Sequence, residues 1–152
     1  MKKDEKQAFI FASMFVIANR MQLLGDKLDL NITIKQWLFL AVVSKSDGKA
    51  PTITEIARLA GYSRQNVKKM AVILEKEGLV TITKDDFDAR INRVSLTQKC
   101  NDYFAENEYK AMELITRLFA DFDASTLDGL YQGVLQLSKS IMALECENDE
   151  EE

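Results

Sequence analysis

The residues of this chain best suited to chemistry are four bases in one short stretch. Between Glu55 and Glu75 the only charged side chains are Arg58, Arg64, Lys68 and Lys69, and Ser63, Gln65 and Asn66 stand among them. Carboxamides offer a donor and an acceptor each, and guanidinium and ammonium groups offer fixed positive charge. Together they can read the polar edge of a planar heterocycle and hold an anion beside it. A second set lies downstream, where Asp88 precedes Arg90 by two residues and can hold its guanidinium from the same side of the chain. An exposed pair of that kind adds only about 0–1 kcal/mol to stability, so its use would be to orient Arg90. The first set also fits a solvated helix face, and the second an ordinary surface ion pair.

What is absent narrows the chemistry further. The 152 residues include no histidine and only two cysteines, Cys100 and Cys146, far apart in the chain. That argues against histidine-based dyads and triads, the usual zinc sites and a disulfide-stapled scaffold. The expectation is therefore a protein that is not an enzyme and carries no metal or cofactor. The formal net charge of −4 misleads, because six acids fall within residues 145–152 and the rest of the chain is net positive. The acidic tail, 147–152, reads as a solvated end; screening of a basic surface is the sharper alternative. Apolar residues make up 47%, charged residues 29%, and there is one proline and six glycines. This predicts one mainly helical domain over 1–152. After Met1 the next six residues are polar, and the longest unbroken apolar run, residues 37–43, is seven residues long. The sequence thus predicts a cytoplasmic protein without a membrane partner.

The elements that must position the two sets follow from periodicity and punctuation. Ile10, Met14, Ile17, Met21 and Leu24 recur at steps of four and three, with Phe11, Phe15 and Ala18 beside them, which predicts a helix over about 5–24 with a wide apolar face. Asn31-Ile32-Thr33 supplies a cap for a helix over 34–45 carrying Trp37, Leu38, Leu40 and Ala41, ended by a turn at 46–48. Thr52-Ile53-Thr54-Glu55 is a capping-box pattern opening a short helix to residue 60, stopped by Gly61. Ser63 caps a fourth helix with Val67, Met70 or Ala71, and Leu74 inward, closed by Gly78. The β-branched runs 79–83 and 93–96 flank the polar stretch 84–92, which predicts a hairpin with a long tip. Helices over about 98–120 and 126–145 complete the chain, the second opening on Ser125-Thr126-Leu127-Asp128 as a further capping box.

Two short helices joined at a glycine make a helix-turn-helix, whose second helix can lie in the DNA major groove. Its outward residues here are Arg64, Gln65, Lys68 and Lys69, with Ser63 and Asn66 in the first turn. Glutamine and asparagine pair bidentately with adenine and arginine with guanine, while lysine and serine more often hold phosphate. A strand, a tip read as basic and a strand placed next make a wing, which puts Arg90 where it can enter the minor groove with Asp88 supporting it.

Pro51-Thr52-Ile53-Thr54-Glu55-Ile56-Ala57, Ser63-Arg64-Gln65-Asn66-Val67 and Leu74-Glu75-Lys76-Glu77-Gly78-Leu79-Val80 resemble the MarR family of bacterial transcription regulators. The run Asp88-Ala89-Arg90-Ile91-Asn92-Arg93-Val94-Ser95-Leu96-Thr97 is similar to that family's wing pattern, D-x-R-x-x-x-V-x-L-T, and Asn31-Ile32-Thr33-Ile34-Lys35-Gln36-Trp37-Leu38 to the start of its second helix. The resemblance implies a mainly α fold with a small β-hairpin wing: a winged helix-turn-helix over about 33–97, flanked by N- and C-terminal dimerisation helices over about 5–25 and 98–146. It implies a homodimeric repressor on a palindromic operator in double-stranded DNA, released by a small amphipathic or phenolic effector. Carried over by position, Ser63 opens the recognition helix and Arg90 reaches the minor groove. Two departures stand out. Asp86 replaces an arginine frequent two places before the wing aspartate, implying weaker or more salt-sensitive wing contacts, and Cys100 replaces a glycine after the second strand.

The terminal helices carry more apolar surface than one small domain covers, including Leu118, Phe119, Phe122, Leu127, Leu130, Leu135, Leu137, Ile141 and Leu144. Patches of that size usually mark partner surfaces. Gly129 and Gly133, four apart in the last helix, fit either close approach of another helix or a tolerated pair on an exposed face. A protein-interaction module without specific DNA binding, with Phe87 at the wing tip as an apolar anchor, is the alternative reading. It has no need of Arg64, Lys68, Lys69 and Arg90.

Overall fold

The computed structural model describes residues 1–27, 31–46 and 48–149. Glu150, Glu151 and Glu152 of the expected acidic tail, and Asp47 of the expected turn, lie outside the described residues. The chain divides into two compact units, Met1–Glu108 and Tyr109–Glu152. The first holds α1 (Lys3–Gly25), α2 (Ile34–Ser44), α3 (Ile53–Ala60), α4 (Arg64–Lys76), β1 (Val80–Lys84), β2 (Asn92–Leu96) and the start of α5 (Gln98–Leu118). The second holds the rest of α5 and α6 (Ala124–Asp149). The fold is mostly helical with one two-stranded antiparallel sheet, and residues 34–96 form a winged helix-turn-helix.

Side-chain caps start the helices of the winged segment. At α2 the Gln36 backbone N–H donates to Thr33 Oγ1 at 3.2 Å, and the Thr33 N–H donates to Gln36 Oε1 at 2.8 Å. At α3 the same reciprocal pair joins Thr52 and Glu55, at 3.1 and 2.7 Å. Each box satisfies two amides that have no partner within the helix. α3 ends at Gly61, whose φ of +69° lies in the left-handed region that only glycine adopts cheaply. Tyr62 N–H donates back to the Ala57 carbonyl at 2.9 Å, which closes the turn. Ser63 Oγ then accepts from Asn66 N–H at 3.2 Å and α4 begins.

The core of the first unit draws from every element of the winged segment. α4 buries Val67, Ala71 and Leu74, which settles the choice between Met70 and Ala71. α2 buries Phe39, Leu40 and Val43, with Trp37 only packed against the cluster. Ile53, Ile56 and Ala57 come from α3, Val80 and Val94 from the sheet, and Cys100 from α5. The strands run one residue longer toward the tip than the β-branched runs suggest, with Val80 opposite Leu96, Ile82 opposite Val94 and Lys84 opposite Asn92. β2 has a second neighbour that local patterning does not signal. Arg93 bridges antiparallel to Thr52, and Val94 N–H donates to the Pro51 carbonyl at 2.9 Å.

Cys100, in place of a glycine, leaves the start of α5 intact. Thr97 Oγ1 accepts from Cys100 N–H at 3.2 Å and donates to the Gly78 carbonyl at 2.6 Å, and the thiol is fully buried. Burial pushes that thiol up, the direction that lowers its reactivity, whereas Cys146 is exposed on α6. α6 starts earlier than expected. Asp123 Oδ1, rather than Ser125, accepts from Thr126 N–H at 2.7 Å, because a carboxylate is the stronger acceptor at a helix N-terminus.

α1 and α6 leave their apolar residues in the open. Phe9, Phe11, Phe15 and Leu23 are all exposed, Gly25 is the one buried residue of α1, and no described residue of α6 is buried. A Cβ added at Gly129 or Gly133 would meet nothing within 4 Å. The longest unbroken apolar run understates α1. Its 23 residues are long and apolar enough to cross a membrane by length and composition, as are many core helices of soluble proteins.

Phe39 has no contact with solvent. Phe39→Ala is expected to lower the unfolding free energy by about 3–5 kcal/mol in urea denaturation followed by circular dichroism. A loss below about 1 kcal/mol would mean that α2 is not part of the core.

Candidate nucleic-acid interface

Burying Val67, Ala71 and Leu74 turns the opposite side of α4 to solvent. Ser63, Arg64, Gln65, Asn66, Lys68 and Lys69 are all exposed there. The hydroxyl of Ser63 is used as an acceptor by the cap, so its O–H remains free to donate. Arg64 and Lys68 are one helical turn apart and share a face, as do Gln65 and Lys69 on the next face round.

Arg64 and Lys68 meet the wing. A groove of about 310 Å3 is lined by Thr52, Ile53 and Thr54 at the start of α3, Arg64 and Lys68 of α4, and Arg90, Ile91 and Asn92 of the wing. Three cations and the first turn of a helix therefore converge, and no carboxylate is among the lining residues. Such a groove attracts anions through side-chain charge and the free amides of the helix start. Gln65, Asn66 and Lys69 sit outside it on the exposed face of α4, and Ser63 and Asp88 do not line it either.

The wing presents Arg90 in a fixed pose. Its Nε donates to Asp88 Oδ1 at 3.0 Å and its NH2 to Oδ2 at 2.8 Å, a two-point clamp. Arg90 N–H also donates to Asp88 Oδ1, at 2.9 Å, while the guanidinium side chain stays 90% exposed. The guanidinium and backbone N–H of Arg90 hold the Asp88 carboxyl below the usual carboxylate range, and Asp88 in turn raises Arg90. Both groups keep their charge.

At the level of sequence the tip is not basic, for residues 84–90 carry three aspartates against Lys84 and Arg90. The fold resolves this by turning one acid inward. Asp85 has a side chain 4% exposed and accepts from Lys49 Nζ at 2.8 Å, Arg93 Nε, Phe87 N–H at 2.9 Å and Asp88 N–H at 3.3 Å. Lys49, the Phe87 amide and Arg93 hold its carboxyl well below the usual range. Arg93 continues the network, donating from NH1 to the Ala50 carbonyl at 2.6 Å and lying 4.0 Å from Glu55 Oε2. The wing is thereby tied to the segment that starts α3. The attachment of Asp85 and Arg93 to Lys49 and Ala50 is not legible locally, because those links span 36 and 43 positions of chain, whereas Asp85 and Arg93 are 8 apart across the hairpin. The adjacent aspartates at 85 and 86 in an otherwise DNA-like wing were the only signal.

Comparison with known proteins places this geometry. Residues 29–91 match the sequence model of the MarR family. No curated protein sequence matches the chain. Among solved structures, a MarR/EmrR family transcriptional regulator from Acinetobacter sp. ADP1 superposes with a TM-score of 0.78 at 17% identity, covering 94% of this chain and 99% of that one. Sco3205, a MarR family regulator from Streptomyces coelicolor solved in complex with DNA, gives 0.79 at 16% identity, covering 92% and 89%. BpsR of Bordetella bronchiseptica, whose DNA binding is regulated by 6-hydroxynicotinic acid, gives 0.72 at 15% identity, covering 84% and 98%. At these identities the likeness is one of fold.

A lowered carboxyl pKa in the folded state stabilises the fold fully above the unfolded value and is lost as pH falls through the folded one. For Asp85 the unfolded value is near 3.8, so its contribution is complete at neutral pH and declines below about pH 4. Asp85→Asn is expected to lower the urea midpoint at neutral pH, and the gap from the parent protein to begin narrowing below about pH 4, where the carboxyl of the unfolded chain takes up a proton while the folded one stays ionised. An equal gap in both pH ranges would show that the charge of Asp85 is not what holds the wing.

Proposed function

We propose that this chain, a member of the MarR family through residues 29–91, is a homodimeric transcription regulator that binds a palindromic operator in double-stranded DNA. The observation that carries the reading is the groove shared by Arg64 and Lys68 of α4, Arg90 of the wing and the start of α3. With α4 in the major groove, Arg64, Gln65 and Asn66 face base edges, while Ser63, Lys68 and Lys69 hold phosphates. Arg90, oriented by Asp88, enters the neighbouring minor groove. Two wings and two recognition helices related by a two-fold axis would read half-sites about one helical turn apart, roughly 10–10.5 bp, or a multiple of that. The DNA complex of Sco3205, which shares the fold, supports this arrangement.

Dimerisation is supported by the exposed apolar residues of α1 and α6, which no part of the described chain buries. We assign residues 33–97 to DNA binding, and 5–25 with 98–146 to the dimer. In this reading the protein acts in the cytoplasm as a repressor released by a small amphipathic or phenolic effector. The regulation of BpsR by an aromatic acid supports an effector of that size and polarity. The protein-interaction alternative has one observation in its favour, the 93% exposure of Phe87. It leaves the cationic groove without a task.

Selection of bound sequences from a random duplex pool is expected to enrich a palindrome, with log affinity falling steeply against log salt. Light scattering is expected to give twice the monomer mass. No enrichment, with only weak salt-erased binding, would favour the protein-interaction reading. Gln65→Ala is expected to relax preference at one base position by about 1–3 kcal/mol. A uniform loss across all sequences would move Gln65 from base reading to backbone contact.

A further inference from the structure

The wing tip carries an aromatic side chain that the fold does not use. Phe87 is 93% exposed, yet the backbone beneath it is tightly held. Its N–H and that of Asp88 both donate to Asp85 Oδ1, and Asp85 N–H donates to the Ile91 carbonyl at 3.0 Å, closing the loop at its base. Lys49 Nζ, itself bound to Asp85, lies 5.1 Å from the centre of the Phe87 ring, within cation–π range. Three residues along, Arg90 projects its guanidinium from the Asp88 clamp. An ordered loop thus offers an apolar ring with one cation over it and a second nearby.

That combination suits a surface with apolar walls and anionic rims. The minor groove of DNA has both, since its walls are deoxyribose C–H groups and its rims are phosphates. Phenylalanine is also among the side chains that proteins insert there. We propose that Phe87 is a DNA-contacting residue of the wing, its ring packing against the deoxyribose wall of the minor groove that Arg90 enters. Asp85 is the residue that positions it, through the Phe87 amide and through Lys49. Arg90 then supplies charge, and Phe87 supplies contact that is independent of salt. This inference rests on the DNA-binding reading above.

The test titrates the full chain and its variants against the operator selected from the random pool, at several salt concentrations. Phe87→Ala is expected to lose about tenfold in affinity with an unchanged slope of log affinity against log salt, the size expected from partly burying one phenyl ring. Phe87→Leu is expected to recover most of that loss. Arg90→Ala is expected to flatten the slope by about one. Because Phe87 is exposed, its variants should unfold at the parent urea midpoint, which is checked alongside. Full operator affinity in Phe87→Ala overturns the inference while leaving the DNA-binding reading intact, and frees the ring for a protein partner. A loss accompanied by a flatter slope also overturns it, since the wing would then have moved as a whole. A parent protein that enriches no duplex overturns the DNA-binding reading and this inference together.

Discussion

A carboxylate cut off from water has to be neutralised by the groups it touches, and Asp85 meets that requirement with Lys49, Arg93 and two backbone amides. The consequences reach well beyond the pair. Lys49 and Ala50 precede α3, and Arg93 lies in β2 beside Thr52, so satisfying one acid fixes the wing against the first helix of the helix-turn-helix. That tie acts with the Val94–Pro51 backbone bond and the shared core to hold together the walls of the groove between Arg64, Lys68 and Arg90. The tie also removes a negative charge from the tip, which would otherwise oppose Arg90 on approach to a polyanion.

A division of labour within the wing follows. Asp85 serves the loop's backbone and its attachment, Asp88 serves the direction of Arg90, and Asp86 remains exposed. Three aspartates within four residues thus have three different environments, two of them engaged and one open to solvent. Solved structures that share the fold do so at 16–17% identity, which leaves room for an ion network of this kind to differ between them.

The two terminal helices pose the opposite constraint. α1 and α6 are long, apolar and exposed, a combination that a helix in water does not tolerate on its own account. A second copy of the chain is the covering surface proposed here. The same apolar surface makes α1 long and apolar enough to cross a membrane by length and composition. Apolar surface in a sequence records that something must cover the helix, and lipid, a core and a partner protomer all satisfy it.

The sequence by itself determined the order and type of the elements and which side of α4 faces outward. Those depend on contacts within a few residues: the threonine boxes at 33 and 52, the glycine at 61, and the spacing of Val67, Ala71 and Leu74. It also placed Asp88 and Arg90 together, since two positions along a turn bring them within reach. The limits of local reading appear wherever neighbours compete or partners are distant. Asp123 displaced Ser125 as the cap of α6 because both offer an acceptor and the charged one wins. Tertiary structure alone decided which aspartate is buried, that Lys49 and Arg93 neutralise it, and that Thr52 and Thr54 join Arg64, Lys68 and Arg90 in one groove. Residue type states what charge a side chain can carry. How far that charge lies from water and from its counter-ions is set by chain folding across dozens of residues, and that distance decides whether an acid supports the wing or repels its ligand.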